Sequence, residues 1–371
     1  GVWGTWQQNA PKNITMKTRF FNKSKSSFKI TKILLFNFTL FLILLILIEL
    51  IFGFWFKKDS FGLQMRGKRL QTVVVNKENK KIIYKRDYYG FRENFDDKYD
   101  LSNIKILING GSTIDELLLK YEDTIGGQLN KKLKENNIDL KIYNAGIAGK
   151  SSRGHINEFE EWFDKLKNFN PKIIIYYIGW NDRWIKDNEW ADSNLNLGFS
   201  KKIIWTFSQK SFFWYKIKII KDKFFPKHVF AYGTKDEKII KEISKNKFFS
   251  YEYAIQNYKQ LTLEEKRVVK SYNNNLELLK DKLHERDITP VFITQIDYQI
   301  NGDKLLHHLN KALKEFCKKN NLLIINLDEL VEKTIADGFV DEVHTNEKGS
   351  YEISNYIYPY VENIIRKFYK N

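Results

Sequence analysis

Hydrophobic and polar positions follow two different patterns along the chain. An almost uninterrupted apolar stretch occupies residues 33–56, and from residue 101 onward shorter apolar runs alternate with helical periodicity. Runs that are largely apolar, such as 104–108 and 173–178, are typical of strands covered on both faces of a sheet. Their alternation with helices predicts an α/β domain with a parallel sheet and helices on both of its sides.

Five such runs predict the strands of that sheet, at residues 104–108, 140–143, 173–178, 290–294 and 322–326. Positions with a helical period predict the intervening helices, at residues 114–136, 154–167, 262–286, 305–319 and 349–368. The helix predicted from residue 262 opens with Thr-Leu-Glu-Glu, a capping-box pattern. The alternation is interrupted at about 183–260, where aromatic and basic residues dominate.

The apolar stretch 33–56 is long enough to cross a membrane. A helix of its 24 residues, rising about 1.5 Å per residue, spans the ~30 Å hydrocarbon layer with some tilt. No small-x-small cleavage site follows it, which favours an uncleaved anchor over a signal peptide. Basic residues are more frequent before the stretch than after it, which favours a cytoplasmic N-terminus and a periplasmic or extracellular C-terminal domain.

These patterns predict the domain organisation of the chain. Its predicted parts are a basic N-terminal segment at 1–32, a transmembrane helix at 33–56, a linker with a lead-in strand at 57–100, and an α/β domain at 101–371 with an insertion at about 183–260. Met16 and the residues after it resemble a natural start, so we expect residues 1–15 not to be native.

The net charge of +17 is concentrated near the N-terminus. Residues 1–70 hold twelve Lys or Arg and only two acidic residues, whereas the remainder carries a small basic excess. The charge therefore fits membrane flanks and biased codon usage better than a nucleic-acid surface, and no nucleic-acid partner is expected. The single cysteine, Cys317, lies in a helical pattern and is expected to pack in the core, without an internal disulfide.

Within the insertion, residues 201–227 mix lysines with isoleucine, phenylalanine and tryptophan, and Asp222 is their only acid. One interpretation is an amphipathic helix with a cationic face that lies on an anionic membrane surface. The other is a helical cap that packs on the α/β domain and covers its site. The sequence leaves both interpretations open.

Four short motifs carry candidate chemistry. They are Gly-Gly-Ser-Thr at 110–113, Asn-Ala-Gly-Ile-Ala-Gly at 144–149, Gly-Trp-Asn-Asp at 179–182 and Asp-Glu-Val-His at 341–344. The first three directly follow predicted strands, so they lie at the carboxyl edge of the sheet, where α/β proteins bind ligands. Taken singly, each also fits an ordinary turn or helix N-cap.

The residue types in these motifs suit acyl transfer by a serine. Ser112 would be the nucleophile, and His344 would be the general base that takes its proton. Asp341, three residues before His344, would hold the imidazole ring in the required tautomer. The Asn181 side chain and the backbone N–H of Gly149, with that of Ser112, are candidate donors to an oxyanion. The other five histidines lack such a setting and show no metal-ligand spacing, so no metal site is expected.

These residues resemble those of the SGNH, or GDSL-type, hydrolase family. The family carries a serine in Gly-Asp-Ser, a loop glycine, an asparagine in Gly-x-Asn-Asp and a final Asp-x-x-His. In this chain the four blocks are matched, in order, by Ser112, Gly149, Asn181 and the pair of Asp341 and His344.

The resemblance covers roughly residues 80–368, and the segments 84–92 and 294–295 are similar to membrane-anchored bacterial members in particular. Gly111 stands where the family has an aspartate. The insertion at about 183–260 is aromatic and basic and departs from the family pattern, so the resemblance implies nothing about the substrate of this chain. The resemblance implies a three-layer α/β/α sandwich with a five-stranded parallel, flavodoxin-like sheet, and ester chemistry without metal or organic cofactor.

Three functions remain in view from the sequence. The leading expectation is a membrane-anchored serine ester hydrolase that forms an acyl-enzyme and acts on O-acyl or O-acetyl esters of cell-envelope glycans or lipids. The first alternative is an O-acyltransferase that uses the same Ser-His-Asp site to modify surface polysaccharide. The second is a non-catalytic protein that binds a membrane surface. No residue identifies the acyl group, the alcohol or a protein partner.

Overall fold

The computed structural model describes residues 15–56, 69–77, 80–93, 99–184, 199–200, 203, 207, 210–230, 261–298, 303–331 and 333–369. The chain divides into two compact units, one of which holds residues 1–57 with 210–213 and the other the remainder. Much of the predicted insertion at 183–260, and all of residues 1–14, lie outside the described residues.

The first unit is built on one long helix, α1 (Thr15–Phe52). Its part Lys29–Phe52 is apolar and long enough to cross a membrane, a property that a signal sequence shares. The helix ends four residues before the end of the predicted span at 33–56, where the N–H of Gly53 donates to the carbonyl of Glu49 at 2.8 Å. One N-terminal apolar helix is therefore confirmed, and its insertion in a membrane stays a prediction.

The second unit contains two sheets. The described strands are β1 (Thr72–Lys77), β2 (Lys80–Lys85), β3 (Ile106–Gly110), β4 (Ile142–Asn144), β5 (Ile173–Tyr177), β6 (Lys227–Phe230), β7 (Thr289–Ile293) and β8 (Leu323–Ile325). The larger sheet has the order β4-β3-β5-β7-β8, and each neighbouring pair is parallel. This order is flavodoxin-like and confirms the predicted five-stranded parallel sheet.

Helices cover both faces of this sheet. After α1, the described helices are α2 (Ser112–Asp115), α3 (Ile125–Glu135), α4 (Ser152–Glu161), α5 (Phe212–Phe224), α6 (Leu263–His284), α7 (Lys304–Asn320), α8 (Leu327–Leu330) and α9 (Glu347–Tyr369). The capping box predicted for α6 is present: Thr262 Oγ1 accepts from the N–H of Glu265, and Glu265 Oε2 accepts from the N–H of Thr262.

Successive side chains of the sheet strands enter two separate hydrophobic clusters. On one face, Leu107 and Ile174 pack with residues of α4, α6 and α7. On the other face, Ile106 and Ile175 pack with residues of α3 and α9. Each fully buried leucine or isoleucine contributes about 1.5–3 kcal/mol to folding, so both faces need their helices. The predicted three-layer α/β/α sandwich is confirmed. Cys317 packs within the first cluster, and burial raises the pKa of its thiol to about 12.

One predicted helix, at 114–136, is interrupted. Helix α2 ends at Asp115, and the next residue, Glu116, has a left-handed backbone at φ +46°. Helix α3 starts only after Thr124, whose side chain accepts from the N–H of Gly127. Between them, Leu117 and Leu118 pack against the smaller sheet. That sheet has the order β2-β1-β6, in which β1 and β2 are antiparallel and β1 and β6 are parallel. The segment between the two helices leaves the helical path where these half-buried leucines pack against that sheet.

Candidate active site

The sheet topology brings three of the four motifs to one edge. Ser112 follows the last residue of β3 by two positions, and Asn181 lies in a short 3₁₀ turn, Trp180–Trp184, after β5. Gly149 lies in the loop between β4 and α4. Because β3, β4 and β5 are adjacent and parallel, these residues share the carboxyl edge of the sheet.

The fourth motif comes from the loop before α9 and reaches the same place. The Ser112 Oγ lies 2.7 Å from His344 Nε2, although the two residues are 232 positions apart in the chain. On the other side of the ring, His344 Nδ1 lies 2.7 Å from Asp341 Oδ2. If Nδ1 carries the hydrogen that the carboxylate accepts, Nε2 is left to accept the hydroxyl hydrogen of Ser112.

Asp341 fixes both the ring and its own loop. Its Oδ1 accepts from the backbone N–H of His344 at 2.8 Å and from that of Val343 at 3.0 Å. Burial raises the pKa of Asp341, but the hydrogen bond and charge of His344, together with these two backbone donors, lower it more. The pKa of Asp341 therefore lies below its ordinary value, and the side chain is a carboxylate at neutral pH.

The Asn181 side chain lies against the residue that precedes Ser112. A Cβ at Gly111 would stand 2.3 Å from Asn181 Nδ2, closer than real atoms approach. The same Nδ2 donates to the carbonyl of Lys150 at 2.7 Å. Asn181 therefore occupies the space that a side chain at position 111 would need, and it joins the serine turn to the loop of Gly149. That glycine has φ +83°, with open space where its Cβ would be.

Asp182, next to Asn181, ties its turn to the start of α4. The N–H of Ser152 donates to both oxygens of Asp182, at 3.2 and 3.1 Å, and the Ser152 hydroxyl also donates to this carboxylate. Asn275 of α6 donates to the Ser152 oxygen at 3.0 Å. All these groups are buried, so the position of the Asn181 turn is set by several hydrogen bonds that water does not weaken.

Gln295, which follows β7, joins two of the site loops. Its Oε1 accepts from the N–H of Trp180 at 2.6 Å, and its Nε2 donates to Thr113 Oγ1 at 2.9 Å. Asn310 of α7 holds the Gln295 backbone through two hydrogen bonds, of 3.0 and 2.7 Å. Gln295 is 2% exposed. It fixes the residue after Ser112 relative to the residue before Asn181.

Asp115, the last residue of α2, joins the serine turn to the Gly149 loop. Its Oδ1 accepts from Arg86 Nη2 at 2.7 Å and from the Tyr84 hydroxyl at 2.7 Å, while its Oδ2 accepts from the N–H of Ala148 at 3.1 Å. Arg86 also donates to the carbonyl of Gly146. The Arg86 side chain is fully buried. The ion pair of Arg86 and Asp115 therefore connects the residue after β2 with the end of α2, and both side chains also bind the loop after β4.

Glu116 joins the serine turn to the histidine loop. Its Oε2 accepts from the N–H of Ile125 at 2.7 Å, and its Oε1 accepts from Ser350 Oγ at 2.5 Å and from Thr345 Oγ1 at 3.2 Å. Thr345 directly follows His344. Burial raises the pKa of Glu116 to about 8, although these donors and the charge of Arg92 oppose it.

The sequence motifs predict the five residues at the edge of the site but not the side chains that position them. Asp182 lies in the Gly-Trp-Asn-Asp motif and Gln295 in the segment 294–295, so both adjoin residues that the sequence motifs indicate. Asp115 and Glu116 look like ordinary acids of a helix start, and only their burial distinguishes them. Among the described residues, no group of three or more His, Cys, Asp or Glu is arranged to hold a metal ion.

Comparisons with known proteins give distant likenesses. No protein-family model matches the chain, and no curated protein matches it. An acetyl xylan esterase, AlAXEase, is 15% identical, with 70% of this chain and 100% of that chain covered and a TM-score of 0.39. TesA is 11% identical, with 70% and 99% covered and a TM-score of 0.41. A lipolytic protein of the G-D-S-L family from Veillonella parvula is 15% identical, with 68% and 96% covered and a TM-score of 0.39. Because these values are low, the chemistry proposed below is based on the geometry of the site and not on these likenesses.

Proposed function

We propose that the chain is a serine ester hydrolase that works through an acyl-enzyme. The observation that carries this proposal is the continuous hydrogen-bonded series from Ser112 Oγ through the His344 ring to Asp341, with both links at 2.7 Å. A serine, an imidazole and a carboxylate in this order form a nucleophile, its base and the group that orients the base. The carboxylate stays ionised because the pKa of Asp341 is lowered.

In the first half of the reaction, His344 Nε2 takes the hydroxyl proton as Ser112 Oγ attacks the ester carbonyl carbon. The carbonyl oxygen becomes an oxyanion, toward which we assign the Asn181 amide and the backbone N–H groups of Gly149 and Ser112 as donors. When the intermediate collapses, the bond to the alcohol oxygen breaks and His344 gives its proton to that oxygen. The acyl group is then esterified to Ser112, and the alcohol leaves.

In the second half, a water molecule replaces the alcohol. His344 takes one proton from the water as its oxygen attacks the acyl carbon, and the same donors receive the new oxyanion. Collapse breaks the bond to Ser112 Oγ, which regains a proton from His344, and the acid is released. Asp341 remains a carboxylate throughout, and its negative charge stabilises the His344 imidazolium that forms twice per cycle.

The substrate class follows from the proposed topology. An α1 that spans the membrane with its basic N-terminal side in the cytoplasm places the α/β domain outside the cytoplasm. Esters available there are O-acyl and O-acetyl groups on cell-envelope glycans and lipids, and we propose these as the substrates. The nucleophile, the base and the oxyanion donors are all supplied by the chain, so the proposed reaction uses no cofactor.

The test uses the full-length protein in detergent micelles, with a fluorophosphonate probe and p-nitrophenyl acetate. Ser112→Ala should abolish covalent labelling, and both Ser112→Ala and His344→Ala should lower turnover by about 10³-fold or more. The exposed serine and histidine Ser102 and His284 give matched controls, since Ser102→Ala and His284→Ala should behave as wild type. Equal labelling and turnover in all five proteins would refute the proposal. Release of acetate from acetylated polysaccharide then distinguishes hydrolysis from transfer to a second glycan.

A further inference from the structure

Helix α5 (Phe212–Phe224) carries three large aliphatic or aromatic side chains on an exposed face. Ile217, Ile220 and Phe224 are 61%, 56% and 66% exposed, although they are among the most hydrophobic residue types. Their spacing of three and four residues places them on one face of the helix. A surface helix of a soluble protein has the opposite arrangement, with its apolar face toward the core.

The opposite side of α5 faces the protein and carries an ion pair. Lys218 pairs with Asp222 at 3.0 Å, one turn further along, and both side chains are mostly buried. Lys218 Nζ also donates to the carbonyl of Arg69 at 3.3 Å, and the Arg69 guanidinium lies 5.9 Å from the centre of the Tyr215 ring. The ion pair therefore lies on the inner side of the helix. Turning α5 about its axis to bury the apolar face would break these contacts.

Exposed lysines border the apolar face. At 100° per residue, Lys216 and Lys223 lie beyond Ile220 on one side, and Lys221 lies beyond Ile217 on the other. A lysine at such a border can lay its alkyl stem along apolar surroundings and keep its ammonium group among phosphates. An apolar face with a lysine border is the arrangement of helices that lie in the interface of an anionic bilayer.

The start of α5 is bonded to the end of the apolar helix α1. Glu49 Oε1 accepts from the N–H of Phe212 at 2.8 Å, and its Oε2 accepts from the N–H of Phe213 at 3.2 Å and from Ser211 Oγ at 3.1 Å. The Phe52 and Phe212 rings are 5.5 Å apart. Glu49 thus accepts hydrogen bonds from the start of α5 at the last turn of the candidate membrane span, and residues 210–213 belong to the same compact unit as that helix.

We infer that α5 lies in the lipid–water interface of the bilayer that α1 spans, with Ile217, Ile220 and Phe224 among the acyl chains and its bordering lysines on anionic headgroups. The occupant of the apolar face is thus the lipid surface, and the chain has two membrane contacts, one spanning and one interfacial. The inference is independent of the proposed chemistry at Ser112.

The test places a fluorophore on this face in the full-length protein reconstituted into vesicles of phosphatidylcholine and phosphatidylglycerol. Cys317 is fully buried, so a thiol-reactive NBD probe labels Ile217→Cys, Ile220→Cys or Phe224→Cys selectively. The matched control is Leu278→Cys, because Leu278 is an exposed apolar residue of α6 at 45% exposure. Circular dichroism confirms that each labelled variant is folded, and the three sites are independent of one another.

At the three α5 sites, lipids with a doxyl group on the acyl chain should quench NBD several-fold more than aqueous iodide does. At Leu278 the order should be reversed. Iodide quenching at the α5 sites that equals that at Leu278 would overturn the inference. Exclusion of both quenchers would also overturn it, since a protein segment or a second copy would then cover the face. A triple variant should reduce the lipid quenching to the level seen without phosphatidylglycerol; its changes are Lys216→Gln, Lys221→Gln and Lys223→Gln. Unchanged quenching would refute the role of these lysines.

Discussion

Replacing Gly111 by alanine tests the proposed oxyanion donor, Asn181, without substituting Asn181 itself. The new Cβ would lie 2.3 Å from Asn181 Nδ2, whereas ordinary contact begins at 3.4 Å, so the amide must move by about 1 Å. This movement breaks the 2.7 Å bond from Asn181 to the Lys150 carbonyl, which holds the amide in place. Because the end of a flexible side chain moves rather than backbone, the free energy of unfolding should change by less than about 1 kcal/mol.

Turnover should respond much more strongly than stability. Loss of one oxyanion donor typically costs ~10²–10³ in kcat, or about 3–4 kcal/mol of transition-state stabilisation, and a 1 Å displacement has a similar effect. We expect Gly111→Ala to lower kcat for p-nitrophenyl acetate by this factor with little change in KM. Fluorophosphonate labelling of Ser112 should persist at a reduced rate, because the nucleophile and its base are intact.

Two further variants make the reasoning specific. Gly111→Ala combined with Asn181→Ala should have the same kcat as Asn181→Ala alone, because the second change removes the group that the first displaces. Gly126→Ala is the matched control, since its Cβ would meet nothing closer than 3.5 Å, and it should keep wild-type kcat. Fully additive losses in the double variant, or a kcat for Gly111→Ala within about threefold of wild type, would refute the role assigned to Asn181.

Three other predictions concern groups around the site. Asp341→Asn should lower kcat by about 10²–10⁴-fold, because the amide no longer fixes the tautomer of His344; steady-state kinetics measure this, and unchanged kcat would contradict it. For Glu116, a folded-state pKa of about 8 against 4.5 when unfolded means that its contribution to stability is present below pH 4.5 and lost as pH rises through 8. Glu116→Gln should therefore flatten the fall in unfolding free energy between pH 5 and 9, by up to about 5 kcal/mol in urea titrations, and an unchanged slope would show that Glu116 does not titrate there. Gln295→Ala leaves two buried partners unpaired, so it should cost about 1–3 kcal/mol of stability and lower kcat while KM is unchanged, whereas a rise in KM alone would indicate a substrate contact.

The layers of the fold could be predicted from the sequence because the central strands β3 and β5 are buried on both faces. A strand such as β5 is apolar at every position, and each predicted strand lies within two residues of an observed one. The smaller sheet was less visible, since β6 pairs with β1 across some 150 positions of chain and neither strand is apolar throughout. The helix predicted at 114–136 missed its break at Glu116, because packing of the following leucines against that sheet is a tertiary effect.

The reacting groups of the candidate site could be predicted from the sequence, but the side chains that position them could not. Ser112 and His344 stand in short motifs at the ends of elements, which is where a sequence pattern has most meaning. Gln295, Asp115 and Glu116 act through buried hydrogen bonds to several loops at once, and no local pattern encodes that burial. For residues 201–227 the sequence leaves a membrane helix and a cap equally open, and the inferred interfacial position of α5 is based on a tertiary feature, the inward ion pair of Lys218.

The separation of 232 positions between Ser112 and His344 means that the proposed nucleophile is synthesised long before its proposed base. During synthesis, Ser112 and the first three strands emerge long before the residues that follow β8. A nascent or C-terminally truncated chain therefore holds an inert hydroxyl beside a half-built sheet. The Ser112 hydroxyl gains its base only when the loop after β8 reaches the sheet and brings His344 to it, so all five strands of the larger sheet must be synthesised before the pair can form.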